Sequence, residues 1–103
     1  MAKRIGVIGG SGYTGVELLR ILHSHPETEV VLTTADSNAG AMVGELYPSL
    51  QAAYPHLAYS SVEAASLDGL DLVFVALPHG ASQAIMPGVL SSVPHVVDLG
   101  ADF

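Results

Sequence analysis

Cysteine is absent from the 103-residue sequence, which excludes a disulfide framework and withholds both a thiol nucleophile and thiolate metal ligands. Basic residues are scarce as well: Lys3, Arg4 and Arg20 stand against ten acidic side chains, and the formal charge is −7. Such a chain has no basic stripe for a nucleic-acid backbone. Any anion it holds must be met by backbone amides, hydroxyls and helix dipoles. Long apolar runs are missing too, none approaching the ~20 residues that span a bilayer. The strand after Met1-Ala2-Lys3-Arg4 meets glycine too soon to be a signal peptide, so a cytoplasmic location away from membranes is expected. Half of the residues are hydrophobic, which suits one compact domain with its own core.

What is present starts with Ile5-Gly6-Val7-Ile8-Gly9-Gly10-Ser11-Gly12-Tyr13-Thr14-Gly15, an apolar strand running into a glycine-spaced turn and then a helix. The glycines at 9, 12 and 15 follow a GxxGxxG spacing instead of GxGxxG, and the physical jobs are similar. Gly9 can leave the strand at backbone angles closed to other residues, Gly12 has no side chain to hold a pyrophosphate off the backbone, and Gly15 lets the helix lie close against the sheet. Free N–H groups at the helix start face the anion, with the hydroxyls of Ser11 and Thr14 beside it. Val16, Leu18, Leu19, Ile21 and Leu22 supply the helix with an apolar face. A glycine-rich turn that binds nothing is the plainer alternative; the strand before it and the helix after it weigh towards a dinucleotide phosphate site.

Pro26 stops the first helix, because the residue before a proline is pushed out of the helical region. Residues 29–35, with Val30, Val31 and Leu32 in a continuous apolar run, read as a strand covered on both faces. Residues 36–54 read as a loop with one helical turn near 43–46, residues 57–60 as a short strand, and residues 61–65 as a short helix capped by Ser60 or Ser61. Residues 71–77 form the clearest buried strand, ended by Pro78-His79-Gly80. A helix kinked or split at Pro87 follows over residues 81–90, then a last strand over 96–99. This alternation predicts an α/β fold with a doubly wound parallel sheet of the Rossmann type, whose ligands sit outside the carboxyl ends of the strands. The glycine turn, residues 34–38 and residues 76–80 are therefore expected to converge on one site.

Four motifs in one order, Gly9-Gly10-Ser11-Gly12-Tyr13-Thr14-Gly15-Val16-Glu17-Leu18-Leu19, Ser37-Asn38-Ala39-Gly40, Leu77-Pro78-His79-Gly80 and Asp98-Leu99-Gly100-Ala101-Asp102-Phe103, resemble the N-acetyl-gamma-glutamyl-phosphate reductase family of arginine biosynthesis. That family is similar to aspartate-semialdehyde dehydrogenase in fold and chemistry. The resemblance spans the whole chain but implies only the amino-terminal NADP-binding portion, residues 1–103 being one dinucleotide-binding domain without the substrate and dimerisation domain. It implies an NADP-dependent oxidoreductase that reduces the acyl phosphate N-acetyl-glutamyl 5-phosphate to N-acetyl-glutamate 5-semialdehyde, with a cysteine thiolate forming a thioester, hydride arriving from the nicotinamide and a histidine managing protons. Without cysteine this chain supplies no such nucleophile. It is expected to be inactive alone, and none of His23, His25, His56, His79 or His95 is assigned a catalytic role. No metal site is expected. The partners implied are the small-molecule acyl phosphate and, at full length, further copies of the same chain; nucleic acid and membrane are not among them.

Carried over residue by residue, the resemblance places the cofactor pyrophosphate at Ser11, Gly12, Tyr13 and Thr14, and Gly9 and Gly15, which shape the turn by their spacing, are counted with them as cofactor-binding. The adenosine end falls near Asp36, Ser37 and Asn38, and Ala76, Pro78 and His79 lie along the cofactor towards the nicotinamide. One position departs from the pattern: Asp36 stands where many family members carry arginine. An acidic residue about 20 positions past the glycine motif binds a ribose 2′-hydroxyl and repels a 2′-phosphate, which favours NAD. The resemblance implies NADP, with Thr34, Ser37 and Asn38 holding the phosphate, and NAD stays open because of Asp36. Two other readings remain: a stand-alone dinucleotide-sensing module, and another semialdehyde dehydrogenase.

Overall fold

The computed structural model describes residues 3–10, 13–35, 38–61, 67, 69–76 and 93–98. In chain order these form β1 (Lys3–Ile8), α1 (Tyr13–His23), β2 (Thr28–Thr34), α2 (Val43–Leu46), a 3₁₀ turn (Pro48–Leu50), β3 (Tyr59–Ser60), β4 (Leu72–Val75) and β5 (His95–Asp98). The helices expected over residues 61–65 and 81–90 lie outside the described residues, as do the expected strand ends at Leu77 and Leu99.

All five strands pair in parallel, in the order β3-β2-β1-β4-β5. β1 is central and the chain winds outward from it in both directions, which is the doubly wound arrangement and puts the switch point between β1 and β4. Alternate residues serve opposite faces, since successive side chains of a strand point to opposite sides. Ile5 and Val7 join Leu19 and Leu22 of α1, with Leu72 and Phe74 packed against them, in one core; Ile8, Val73 and Val75 join Leu70 and Val93 in the other. Burial on both faces explains the unbroken apolar runs of these strands. The register slips between Ile5 and Gly6, whose partners are Val30 and Leu32. The bulge this gives β2 lets Val31 and Leu32 both pack on the second core.

α1 follows its periodicity with one correction. Leu19 and Leu22 are buried and Val16 and Leu18 partly so, but Ile21 is 49% exposed, because it sits some 200° around the helix from Leu19, at about 100° per residue. Pro26 does end the helix: the Ser24 and His25 amides bond the Ile21 and Leu22 carbonyls in a closing turn. Tyr54, buried beneath α1, donates its hydroxyl to the Leu19 carbonyl at 2.6 Å. This ties the long 38–58 connection to the helix. Among the described residues no helix is long and apolar enough to cross a membrane.

Candidate functional site

The turn after β1 is shaped by three glycines, each for a different reason. Gly9 has φ +85°, a left-handed conformation that side chains disfavour. Gly15 sits in the first turn of α1, and a Cβ there would overlap the Gly9 carbonyl and come within 2.5 Å of the Gly10 Cα. The helix therefore starts in backbone contact with the turn, closer than any residue with a side chain permits. Gly10 is the third. A Cβ on it would collide with Thr33 Oγ1 and reach Tyr59 Cε1 at 3.4 Å, so β2 and β3 wall the turn from the side.

The neighbouring strands also hold the turn by hydrogen bonds. The Gly9 N–H donates to Thr34 Oγ1 at 3.0 Å and the Gly10 N–H to the Thr34 carbonyl at 2.8 Å. The Tyr59 hydroxyl donates to the Gly10 carbonyl at 3.2 Å. Burial pushes the Tyr59 phenol up to about 12, with Tyr47 adding to the shift, so the hydroxyl stays a neutral donor at physiological pH. On the other side of β1, the Ala76 N–H donates to the Ile8 carbonyl at 2.8 Å, carrying the β1–β4 ladder one residue past β4.

The carboxyl ends of β2, β1 and β4 thus lie side by side, and at them stand Gly9, Gly15, Thr34 and Ala76, with Tyr13 and Thr14 opening α1 and Asn38 in the loop after β2. Thr14 is exposed and Thr34 fully buried. Both Thr34 oxygens accept hydrogen bonds from the turn. Ser11, Gly12, Asp36, Ser37, Pro78 and His79, also expected at this site, lie outside the described residues.

Cationic side chains are placed elsewhere. Lys3 and Arg4 open β1, so its length, about 3.3 Å per residue, separates them from the turn. Arg4 is engaged there through its backbone: its N–H donates to Asp71 Oδ2 at 2.8 Å. Arg20 forms an exposed ion pair with Glu17 one turn back on α1, which raises the guanidinium and lowers the carboxyl from their usual values through the shared hydrogen bond. An anion at the turn would meet the amides opening α1, where the helix dipole is positive.

Sequence reasoning missed Gly10, Thr33 and Tyr59. Gly10 falls outside the three-residue glycine spacing. Nothing local marks Thr33 or Tyr59, which reach the turn only through the pairing of β2 with β3, Thr33 opposite Tyr59.

The family model described as "Semialdehyde dehydrogenase, NAD binding domain" matches residues 4–103. Among curated relatives, the chain is 48% identical over 100 residues to N-acetyl-gamma-glutamyl-phosphate reductase of Ectopseudomonas mendocina (strain ymp). It is 49% identical over 100 residues to the protein of the same name from Marinobacter nauticus. Each alignment covers 97% of this chain and 29% of the relative, so the chain spans under a third of their length. In fold it is similar to aspartate semialdehyde dehydrogenase from Candida albicans, solved with NADP, at a TM-score of 0.78 and 20% identity over 97% of this chain and 30% of that one.

Proposed function

The chain belongs to the semialdehyde dehydrogenase NAD-binding-domain family, and from that premise we propose that it is the dinucleotide-binding part of an N-acetyl-gamma-glutamyl-phosphate reductase. The observation that carries this reading is the start of α1, pressed against the Gly9–Gly10 turn at the switch point of a doubly wound sheet. Amides crowded there suit a pyrophosphate, and only glycine at position 15 permits the approach. Gly9, Ser11, Gly12, Tyr13, Thr14 and Gly15 take the pyrophosphate in this proposal. Thr34, Asp36, Ser37 and Asn38 flank the adenosine end, and Ala76, Pro78 and His79 the way to the nicotinamide. Thr34 acts by holding Gly9 and Gly10 in place.

Of the two nicotinamide dinucleotides we take NADP, supported by the Candida albicans neighbour solved with it, with Asp36 as the residue that would favour NAD. The cofactor supplies hydride equivalents when bound. These residues bind it and set its position; with no cysteine among them, they do not provide a thiolate for acyl transfer. Residues 1–103 are then one cofactor-binding domain of an enzyme whose substrate is a small acyl phosphate, acting in the cytoplasm as a homo-oligomer.

Calorimetric titration with NADP, before and after Gly12→Val, tests the reading. Binding by the unmodified chain and its loss in the valine variant are expected. Unchanged affinity with valine in place would put the site elsewhere. An assay with acyl phosphate and NADPH should give no turnover from these residues alone, and turnover would overturn the thiolate requirement.

A further inference from the structure

Tyr59 is bonded at both ends to loops that the proposed dinucleotide would contact. Its hydroxyl donates to the Gly10 carbonyl at 3.2 Å, across 49 positions of sequence. Its backbone grips the loop after β2: the Gly40 N–H donates to the Tyr59 carbonyl at 2.7 Å, and the Tyr59 N–H to the Ala41 carbonyl at 2.9 Å. That loop is itself closed by the Ala41 N–H on the Asn38 carbonyl at 3.1 Å, with Gly40 at φ +96°. Tyr59 is 2% exposed, and Thr33, its partner in the β2–β3 ladder, stands with it against the face of Gly10 where a Cβ would project.

We propose that Tyr59 is a positioning residue which fixes the Gly9–Gly10 turn relative to the Asn38–Ala41 loop, so that a ligand reaching both meets them at one set separation. The inference rests on the dinucleotide reading above. A ligand spanning pyrophosphate and adenosine needs two loops in register, and misplacement by an ångström is felt directly in affinity. A ligand confined to the adenosine end needs only one of them. Burial favours this role: among the described residues the Tyr59 hydroxyl is the side-chain group that donates to the Gly10 carbonyl, and removing it from a buried site leaves that carbonyl free to move.

The test compares NADP with adenosine 2′-phosphate, which carries no pyrophosphate, by NMR titration of the chain, Tyr59→Phe and Gly10→Ala. Tyr59→Phe keeps the ring and removes the bond; Gly10→Ala displaces the same turn from the Thr33 side. The expected result is NADP affinity lower by about fivefold in Tyr59→Phe and at least as much in Gly10→Ala. Adenosine 2′-phosphate should change by less than about twofold in both. Unchanged NADP affinity in Tyr59→Phe would overturn the proposal, as would equal loss for both ligands, which marks a general structural role. If circular dichroism shows that neither variant folds, the contact serves the core alone and the proposal falls. If the unmodified chain binds no dinucleotide, the functional reading fails and takes this one with it; that outcome is seen in the unmodified titration and is distinct from the rest.

Discussion

Thr34 Oγ1 accepts the Gly9 N–H at 3.0 Å, and this bond joins the last residue of β2 to the first residue of the turn after β1. Thr33, one position earlier, is equally buried, but among the described residues its Oγ1 has no hydrogen-bond partner. Two adjacent threonines thus differ in what their hydroxyls do, and the same substitution should act on them with opposite signs.

Thr34→Val leaves a part-buried Gly9 amide without its acceptor and is expected to cost about 2 kcal/mol, within the range for an unmet buried donor. Thr33→Val removes an unmet hydroxyl and is expected to be neutral or to stabilise by about 1 kcal/mol. Urea unfolding of both variants checks the pair. Equal losses would mean that the Thr33 hydroxyl is satisfied in solution.

Gly15→Ala forces a methyl group against the Gly9 carbonyl and the Gly10 Cα. Both obstacles are backbone, which cannot swing aside as a side chain end can. A loss of about 3 kcal/mol is expected, at the upper end for overpacking, despite alanine's better helix propensity. Denaturant midpoints measure it, and a more stable variant would show that α1 does not sit this close to the turn.

Alkaline pH should unfold the chain through its buried phenols. Burial raises Tyr54 and Tyr59 from 10.0 to about 12 in the folded state. A raised folded value means that the protonated, neutral form is the one folding favours. Their contribution is therefore full below pH 10.0 and is lost as pH climbs through about 12. Circular dichroism and tyrosinate absorbance followed together should rise and fall in step over that window. Tyr54→Phe, which deletes the bond to the Leu19 carbonyl, should cost about 1 kcal/mol at neutral pH and shift the alkaline transition.

Cofactor choice is tested at Asp36. With NADP preferred, calorimetric titration should rank NADP above NAD in the unmodified chain, and Asp36→Arg should widen the gap by adding a cation for the 2′-phosphate. A clear preference for NAD, reversed by the arginine, would assign Asp36 to the ribose hydroxyls instead.

Local spacing in the sequence was enough to determine the types of β1, α1, β2 and β4 and the backbone roles of Gly9 and Gly15. Apolar periodicity marked β1, α1, β2 and β4, the expected turn over 43–46 appears as α2, and the left-handed Gly9 matches what a strand-to-helix turn demands. These are properties of a few consecutive residues, whose backbone sterics and side-chain periods act at short range. Tertiary structure decided the rest. The strand order, the bulge opposite Ile5 and Gly6, the outward position of Ile21 and the seat of Gly10 between Thr33 and Tyr59 depend on which distant segments pair and in what register. A one-residue slip in such pairing turns every side chain of a strand to the opposite face. Composition does not encode that choice; it is settled by packing two cores against one sheet at once.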